Sequence, residues 1–158
     1  MTREKIQEFT LRLSQCNRGG MILIIYEILF TYMEDAENAL EQKDREEYKH
    51  SLRRAQDALT ELIGALDFSY EISKNLYSLY VYSRTELAKA MYEGKATRII
   101  DTKKILKPLY AAFVKAAEQD TSGPLMSNTQ QIYAGMTYGK HNLTENYMEI
   151  DTHRGFFA

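Results

Sequence analysis

The sequence predicts an all-α protein: an antiparallel four-helix bundle with a short N-terminal helix and an irregular C-terminal tail. Three observations lead there. Apolar residues recur at spacings of three and four through most of the first 119 positions, which places them on single helix faces because a helix turns once per 3.6 residues. Only two prolines interrupt the chain. The helical stretches are joined by short connections, which fold consecutive helices back on one another. Residues 1–119 form the predicted bundle domain and 120–158 the tail.

Residues 2–15 read as a short amphipathic helix carrying Ile6, Phe9, Leu11 and Leu13. Asn17-Arg18-Gly19-Gly20 reads as a break, since paired glycines disfavour helix continuation. The first long helix is expected over 21–41, with Ile22, Tyr26, Leu29, Met33, Ala36 and Leu40 as its inner stripe. Ile24, Ile25, Ile28 and Phe30 widen that stripe, so more than one neighbour must cover it. Gln42-Lys43 is a tight connection. Asp44 is the expected N-cap of a helix over 44–66, with Glu47 at capping-box spacing. Its ladder is Tyr48, Leu52, Ala55, Leu59, Leu62 and Leu66.

Asp67-Phe68 ends that helix, and Ser69 is the expected cap of the next, over 69–93. Ile72, Leu76, Leu79, Ser83, Leu87 and Ala90 are its ladder, and Gly94 its C-cap. Thr97 is expected to cap a last helix over 97–119, striped by Ile99, Leu106, Leu109, Phe113 and Ala116. Pro108 should kink it or divide it in two. After Gln119 the period is lost. The tail nevertheless holds Ile132, Tyr133, Met136, Leu143, Tyr147 and Ile150, more large apolar residues than disordered segments usually carry. It is expected to lie partly on the bundle or to order on a partner.

Composition narrows the function. A net charge of −2 gives no electrostatic reason for a nucleic-acid partner. The single Cys16 has no internal disulfide partner and fits a reducing cytoplasm. Arg3, Glu4 and Lys5 lead into no apolar signal core, and the apolar run from Met21 to Phe30 is too short to insert across a bilayer. Twelve tyrosines and no tryptophan favour half-buried and interface positions.

Chemistry is sparse. Glu47 and His50 have the Glu-x-x-His spacing of di-iron bundles, but such sites need two of these motifs and further inward carboxylates. No metal site and no cofactor is expected. His50 beside Arg53 and Arg54 admits a phosphotransfer reading, in which an exposed imidazole accepts a phosphoryl group next to a cation. Cys16 has no base near it in sequence and reads as a small apolar filler. Surface remains. The stripes are wider than one core needs, and Tyr77, Tyr80 and Tyr82 face different directions. They form a groove for an amphipathic peptide, or else complete the core or a dimer contact.

The stretch RAQDALTELIGALD (54–67) followed by EISKNLYSLYVY (71–82) resembles the flagellar secretion chaperone family FliS, whose members carry a similar RAQ–EL–LD helix end and NL–LY–Y helix start. IIYEILF (24–30) is similar to the family's LYDGAI segment. The resemblance spans roughly residues 10–119 and rests on the order and spacing of motifs that are individually common. It implies a non-enzymatic cytoplasmic export chaperone, a monomer or weak homodimer. Such a protein binds the C-terminal segment of flagellin, prevents early polymerisation, and gives the segment up when the flagellar export machinery competes for it. The implied groove runs along Ile22, Tyr26, Leu29, Leu62, Leu66, Ile72, Leu76 and Tyr80. Three features depart from the family pattern. Asn17-Arg18-Gly19-Gly20 replaces a Thr-Ala-Ser-Pro-like entry, Ile28-Leu29 replaces a Gly-Ala pair, and the tail is longer. A FliS-like bundle with a different export client therefore also stays open, as does occupation of the groove by the tail.

Overall fold

A computed structural model describes residues 1–126, and all regular structure among them is helical. Helix α1 spans Arg3–Gln15, α2 Arg18–Glu41, α3 Arg45–Gly64, α4 Ile72–Glu93 and α5 Thr97–Ala117. Around the bundle α2 packs on α3 and α5, and α4 packs on the same two helices. Helix α1 lies on the outside of α2. Residues of the tail beyond 126, including the apolar positions from Ile132 to Ile150, lie outside the described residues.

The glycine pair does not break the chain. Helix α2 starts at Arg18, three residues earlier than expected, with Asn17 as its N-cap accepting from Gly20 N at 2.8 Å. The pair is there for close approach. A Cβ on Gly19 would meet Asp120 Oδ2 at 3.0 Å and Ala117 Cβ at 3.4 Å, and one on Gly20 would meet Asn17 Oδ1 and Cys16 Cβ at 3.1 Å. Through that gap the segment after α5 is clasped to the start of α2. Gly19 N donates to Asp120 Oδ2 (3.3 Å), Asn17 Nδ2 donates to the Ser122 carbonyl (3.3 Å), and Leu125 N donates to the Cys16 carbonyl (3.0 Å). An aspartate at a helix N-terminus is favoured by the helix dipole.

The α2–α3 connection is a Schellman turn. Asp44 N donates to the Ala39 carbonyl (2.8 Å) and Lys43 N to the Leu40 carbonyl (3.1 Å). Lys43 takes the left-handed position, φ 59°, that glycine usually fills. Asp44 then caps α3 by accepting from Glu47 N at 3.0 Å. The Glu47 side chain turns instead to Ser51, which donates to it at 3.0 Å, so the reciprocal half of a capping box does not form.

The α3–α4 connection is longer than expected because Asp67, not Ser69, organises it. Asp67 Oδ1 accepts from Ser69 N at 2.9 Å and its carbonyl accepts from Ser73 Oγ at 2.6 Å, an Asx turn that delays α4 to Ile72. Gly94 closes α4 at φ 64°. Helix α5 begins at Thr97 after Ala96, without a side-chain cap, and runs unbroken through Pro108. Pro108 and Lys104 are both exposed, so the carbonyl that proline leaves without a donor is open to water.

The core follows the α3 ladder. Tyr48, Leu52, Ala55, Leu59 and Leu62 are all buried, as are Tyr26, Leu29, Met33 and Ala36 of α2. Full burial of each large member contributes about 1.5–3 kcal/mol. Tyr48 reaches across to α4, where its hydroxyl donates to the Ala90 carbonyl at 2.7 Å. At the α4–α5 corner Glu86 accepts from Lys89 (2.7 Å) and Arg98 (2.5 Å), and Arg98 also donates to Glu93 (2.8 Å).

Candidate peptide-binding cleft

The α4 ladder is not buried along its whole length. Its C-terminal half, Ser83, Leu87 and Ala90, has almost no exposed surface, whereas Ile72 is 64 % exposed and Leu76 and Leu79 are half-buried. Tyr80, one residue off the ladder, takes the core position instead. Burial along α4 therefore falls from its C-terminal half towards its start, although Ser73 in the first turn is buried.

The space left is a cleft of about 370 Å³ at the end of the bundle where α2 and α4 begin and α3 and α5 finish. Ile22 and Arg18 come from the first turns of α2, and Leu62 with Ala65, Leu66 and Asp67 from the end of α3. Tyr70, Ile72, Ser73, Leu76 and Tyr80 come from the start of α4, and Phe113 from α5. Of the residues predicted to line a groove, Ile22, Leu62, Leu66, Ile72, Leu76 and Tyr80 are brought together here. Tyr26 and Leu29 are not in the lining. Both have zero exposed surface, and both belong to the core.

Tyr26 supports the cleft from behind. Its hydroxyl is 2.8 Å from that of Tyr80, and its ring centroid lies 5.7 Å from Phe113 and 5.8 Å from Tyr110. Burial pushes the Tyr26 hydroxyl well above the ordinary phenol range and raises that of Tyr80. Tyr110 in turn donates to Glu27 (3.2 Å), which receives two hydrogen bonds from Arg12 of α1 at 2.5 and 3.0 Å. The aromatic wall is therefore fixed on its far side by a charged clasp.

Apolar surface also lies on the neighbouring residues. Tyr70, at the cleft, is 65 % exposed; Phe68 is 55 % exposed and packs edge-on against the exposed Tyr77 with centroids 5.9 Å apart. Two other depressions differ in character. One, about 380 Å³ at the opposite end, is edged by the charged turn residues Lys43, Asp44, Arg45 and Glu93. The other, about 300 Å³ beside α1, is edged by Lys5, Glu8, Arg12, Glu27 and Glu34. Neither offers a continuous apolar strip.

Arg18, Ala65, Asp67, Tyr70, Ser73 and Phe113 joined the lining without being predicted. Phe113 was legible as part of the α5 stripe; Arg18 was hidden by reading its surroundings as a break. Ser69 hydrogen bonding holds the Asp67 carboxyl below the usual carboxylate range, and the positive charge of Arg18 adds to this.

The structure gives the phosphotransfer reading no support. His50 is exposed, but its Nδ1 is 3.6 Å from the Glu47 carboxylate, a neighbour of the wrong sign for a phosphoryl group. Arg54 is turned to Tyr32 and Asp57. Cys16 is half-buried, with its thiol donating to the Leu13 carbonyl at 3.3 Å. Among the described residues no group of three or more His, Cys, Asp or Glu could hold a metal, and no helix is long and apolar enough to cross a membrane.

No curated protein matches the chain. The sequence profile of the family described as flagellar protein FliS matches residues 6–120, well over half of the 158 residues. That span runs from α1 to the Asp120 clasp and contains every residue that lines the cleft. The chain belongs to the FliS family of flagellar secretion chaperones.

Proposed function

We propose that this protein binds the C-terminal segment of flagellin through the α2–α3–α4–α5 cleft, keeps it from polymerising, and delivers it to flagellar export in the cytoplasm. The observation that carries this reading is the change along α4, from a covered ladder at Leu87 and Ala90 to one half-covered at Leu76 and exposed at Ile72. An amphipathic helix laid in the cleft would supply the missing neighbour, with anchors spaced at i, i+3 or i+4, and i+7. Tyr70 at the cleft and the nearby Phe68 and Tyr77 would extend the contact with rigid aromatic side chains suited to interfaces.

Chaperoning of this kind needs no catalysis. A segment with an exposed apolar stripe is held in stoichiometric complex, and release follows when a competitor removes it. The test is calorimetric titration of the full chain with the C-terminal flagellin segment of the same organism. One-to-one binding that is lost in Ile72→Asp supports the reading. Failure to bind turns the search to other export clients.

A further inference from the structure

The clasp after α5 delivers the chain to the edge of the cleft. Asn17 Nδ2 donates to the Ser122 carbonyl and Leu125 N to the Cys16 carbonyl. The chain is thus pinned immediately ahead of Arg18, where the α2 side of the cleft begins. Ile22, also in the lining, is one helix turn further on, about 6 Å along the axis. The FliS profile ends at residue 120, so the sequence that follows the clasp lies beyond what the family pattern covers. Although the long period is lost there, one short run keeps the spacing that the cleft calls for. Leu143, Tyr147 and Ile150 stand at i, i+4 and i+7, positions that a helix brings to one face. Asn142 with Glu145 three residues on has the pattern of a capping box, with Asn in place of Ser or Thr. Residues 127–142 join the clasp to this run. Their reach when extended is about 50 Å, ample to cross a few helix turns.

Resting on the cleft as the client site, we propose that the chain's own 143–150 run occupies the cleft as a helix, with Leu143, Tyr147 and Ile150 against Ile22, Leu66 and Leu76, until a client displaces it. The tether favours this occupant over the same run of a second copy. A segment linked in this way meets its site at an effective concentration on the order of 1 mM, which a separate molecule at micromolar concentration does not approach. With an intrinsic dissociation constant of about 0.1 mM the run fills the cleft in about nine molecules of ten, and a client's apparent affinity falls about tenfold. Such an occupant covers the apolar side chains at the start of α4, yet it yields to any segment that binds more tightly.

The test is made in the full chain. The photo-crosslinking residue p-benzoylphenylalanine replaces Tyr147, and illumination is expected to give adducts within one molecule at Ile22 or between Leu66 and Tyr80. Adding the flagellin C-terminal segment should remove them. In parallel, the double variant Leu143→Asp, Ile150→Asp should bind that segment about tenfold tighter than the wild type. Adducts between two copies, or away from the cleft, overturn the proposal. So does an unchanged affinity of the double variant for a segment that Ile72→Asp weakens, and in that case the cleft reading stands without the tail. Adducts at the cleft, with a flagellin segment that does not bind or is indifferent to Ile72→Asp, overturn the client reading instead and leave the tail in its seat.

Discussion

The hydroxyls of Tyr26 on α2 and Tyr80 on α4 meet 2.8 Å apart in the buried centre of the bundle. This one polar contact joins two diagonal helices immediately beneath the cleft. Removing either hydroxyl leaves the other buried without its partner, a cost of about 1–3 kcal/mol. Tyr26→Phe and Tyr80→Phe should each lower stability by that order. The double variant should lose clearly less than the sum, because no orphan remains. Urea unfolding of the four proteins checks this; strict additivity would contradict it.

The same burial has an alkaline signature. Tyr26, Tyr48 and Tyr80 have hydroxyls raised above the ordinary value, chiefly by desolvation. In the unfolded chain they ionise near pH 10. Their contribution to stability is complete below that pH and falls as pH rises past it, where unfolded tyrosine ionises and the folded hydroxyls resist. Absorbance titration should show a group of tyrosines that ionise late and together with loss of helical circular dichroism. Ionisation of all the tyrosines near pH 10, with the helices intact, would count against the buried pair.

On the acid side the Glu86–Arg98–Glu93 corner sets the direction. Hydrogen bonds from Lys89 and then Arg98 hold the Glu86 carboxyl low, and Arg98 does the same for Glu93. Depressed carboxylates stabilise above their unfolded values, about 4.3 for glutamate. That stabilisation is lost as pH falls through the lowered folded values. Arg98→Ala should therefore narrow the stability difference between neutral pH and about pH 3 in urea melts. An unchanged pH dependence would show that the corner contributes nothing through its charges.

Backbone positions give a sharper contrast. Lys43 holds a left-handed φ of 59° in the Schellman turn, so Lys43→Gly should stabilise by about 0.5–1 kcal/mol. Gly64→Ala should also stabilise, since an added Cβ there meets nothing within 4 Å. Gly19→Ala should not, because its gain in helix propensity is offset by crowding against Asp120 and Ala117. Thermal melts that rank Gly19→Ala with Gly64→Ala would refute the close approach.

The clasp after α5 predicts where the folded unit can be cut. A chain ending at Gln119 loses the contacts of Asp120, Ser122 and Leu125 with the α1–α2 corner. It should be less stable than a chain ending at Met126 by about 1–3 kcal/mol, the scale of two or three net hydrogen bonds. Equal stability would mean that the clasp is decorative.

How much of this was legible in the sequence depends on what each pattern encodes. The α3 ladder was readable from Tyr48 to Leu62, which are buried in the order their spacing gives, but the helix ends at Gly64 and its expected last rung, Leu66, is half-buried beyond it. The α4 ladder named the right face but not its cover. Ile72 and Leu87 look alike in the sequence, yet Ile72 is exposed and Leu87 fully buried. Periodicity fixes which residues share a side, not whether a neighbour lies against them. The Gly19-Gly20 pair was misread because Gly19 admits Asp120 from the far end of the domain, a long-range contact without local signature, while Gly20 lies close to its own cap residue Asn17. Tyr26 and Leu29 stood in the groove prediction on the α2 stripe and the family motif. Their place behind the wall, with no exposed surface, depends on packing depth that a stripe cannot convey.

The most direct test of the central claim is calorimetric titration of the flagellin C-terminal segment into the full chain and into Ile72→Asp. Ile72 is mostly exposed, so the substitution should leave stability within about 0.5 kcal/mol of wild type. The account predicts one-to-one binding by the wild type with a negative heat-capacity change, and binding at least tenfold weaker in the variant. Wild-type binding that Ile72→Asp leaves untouched would put the client elsewhere on the bundle and contradict the cleft as its seat.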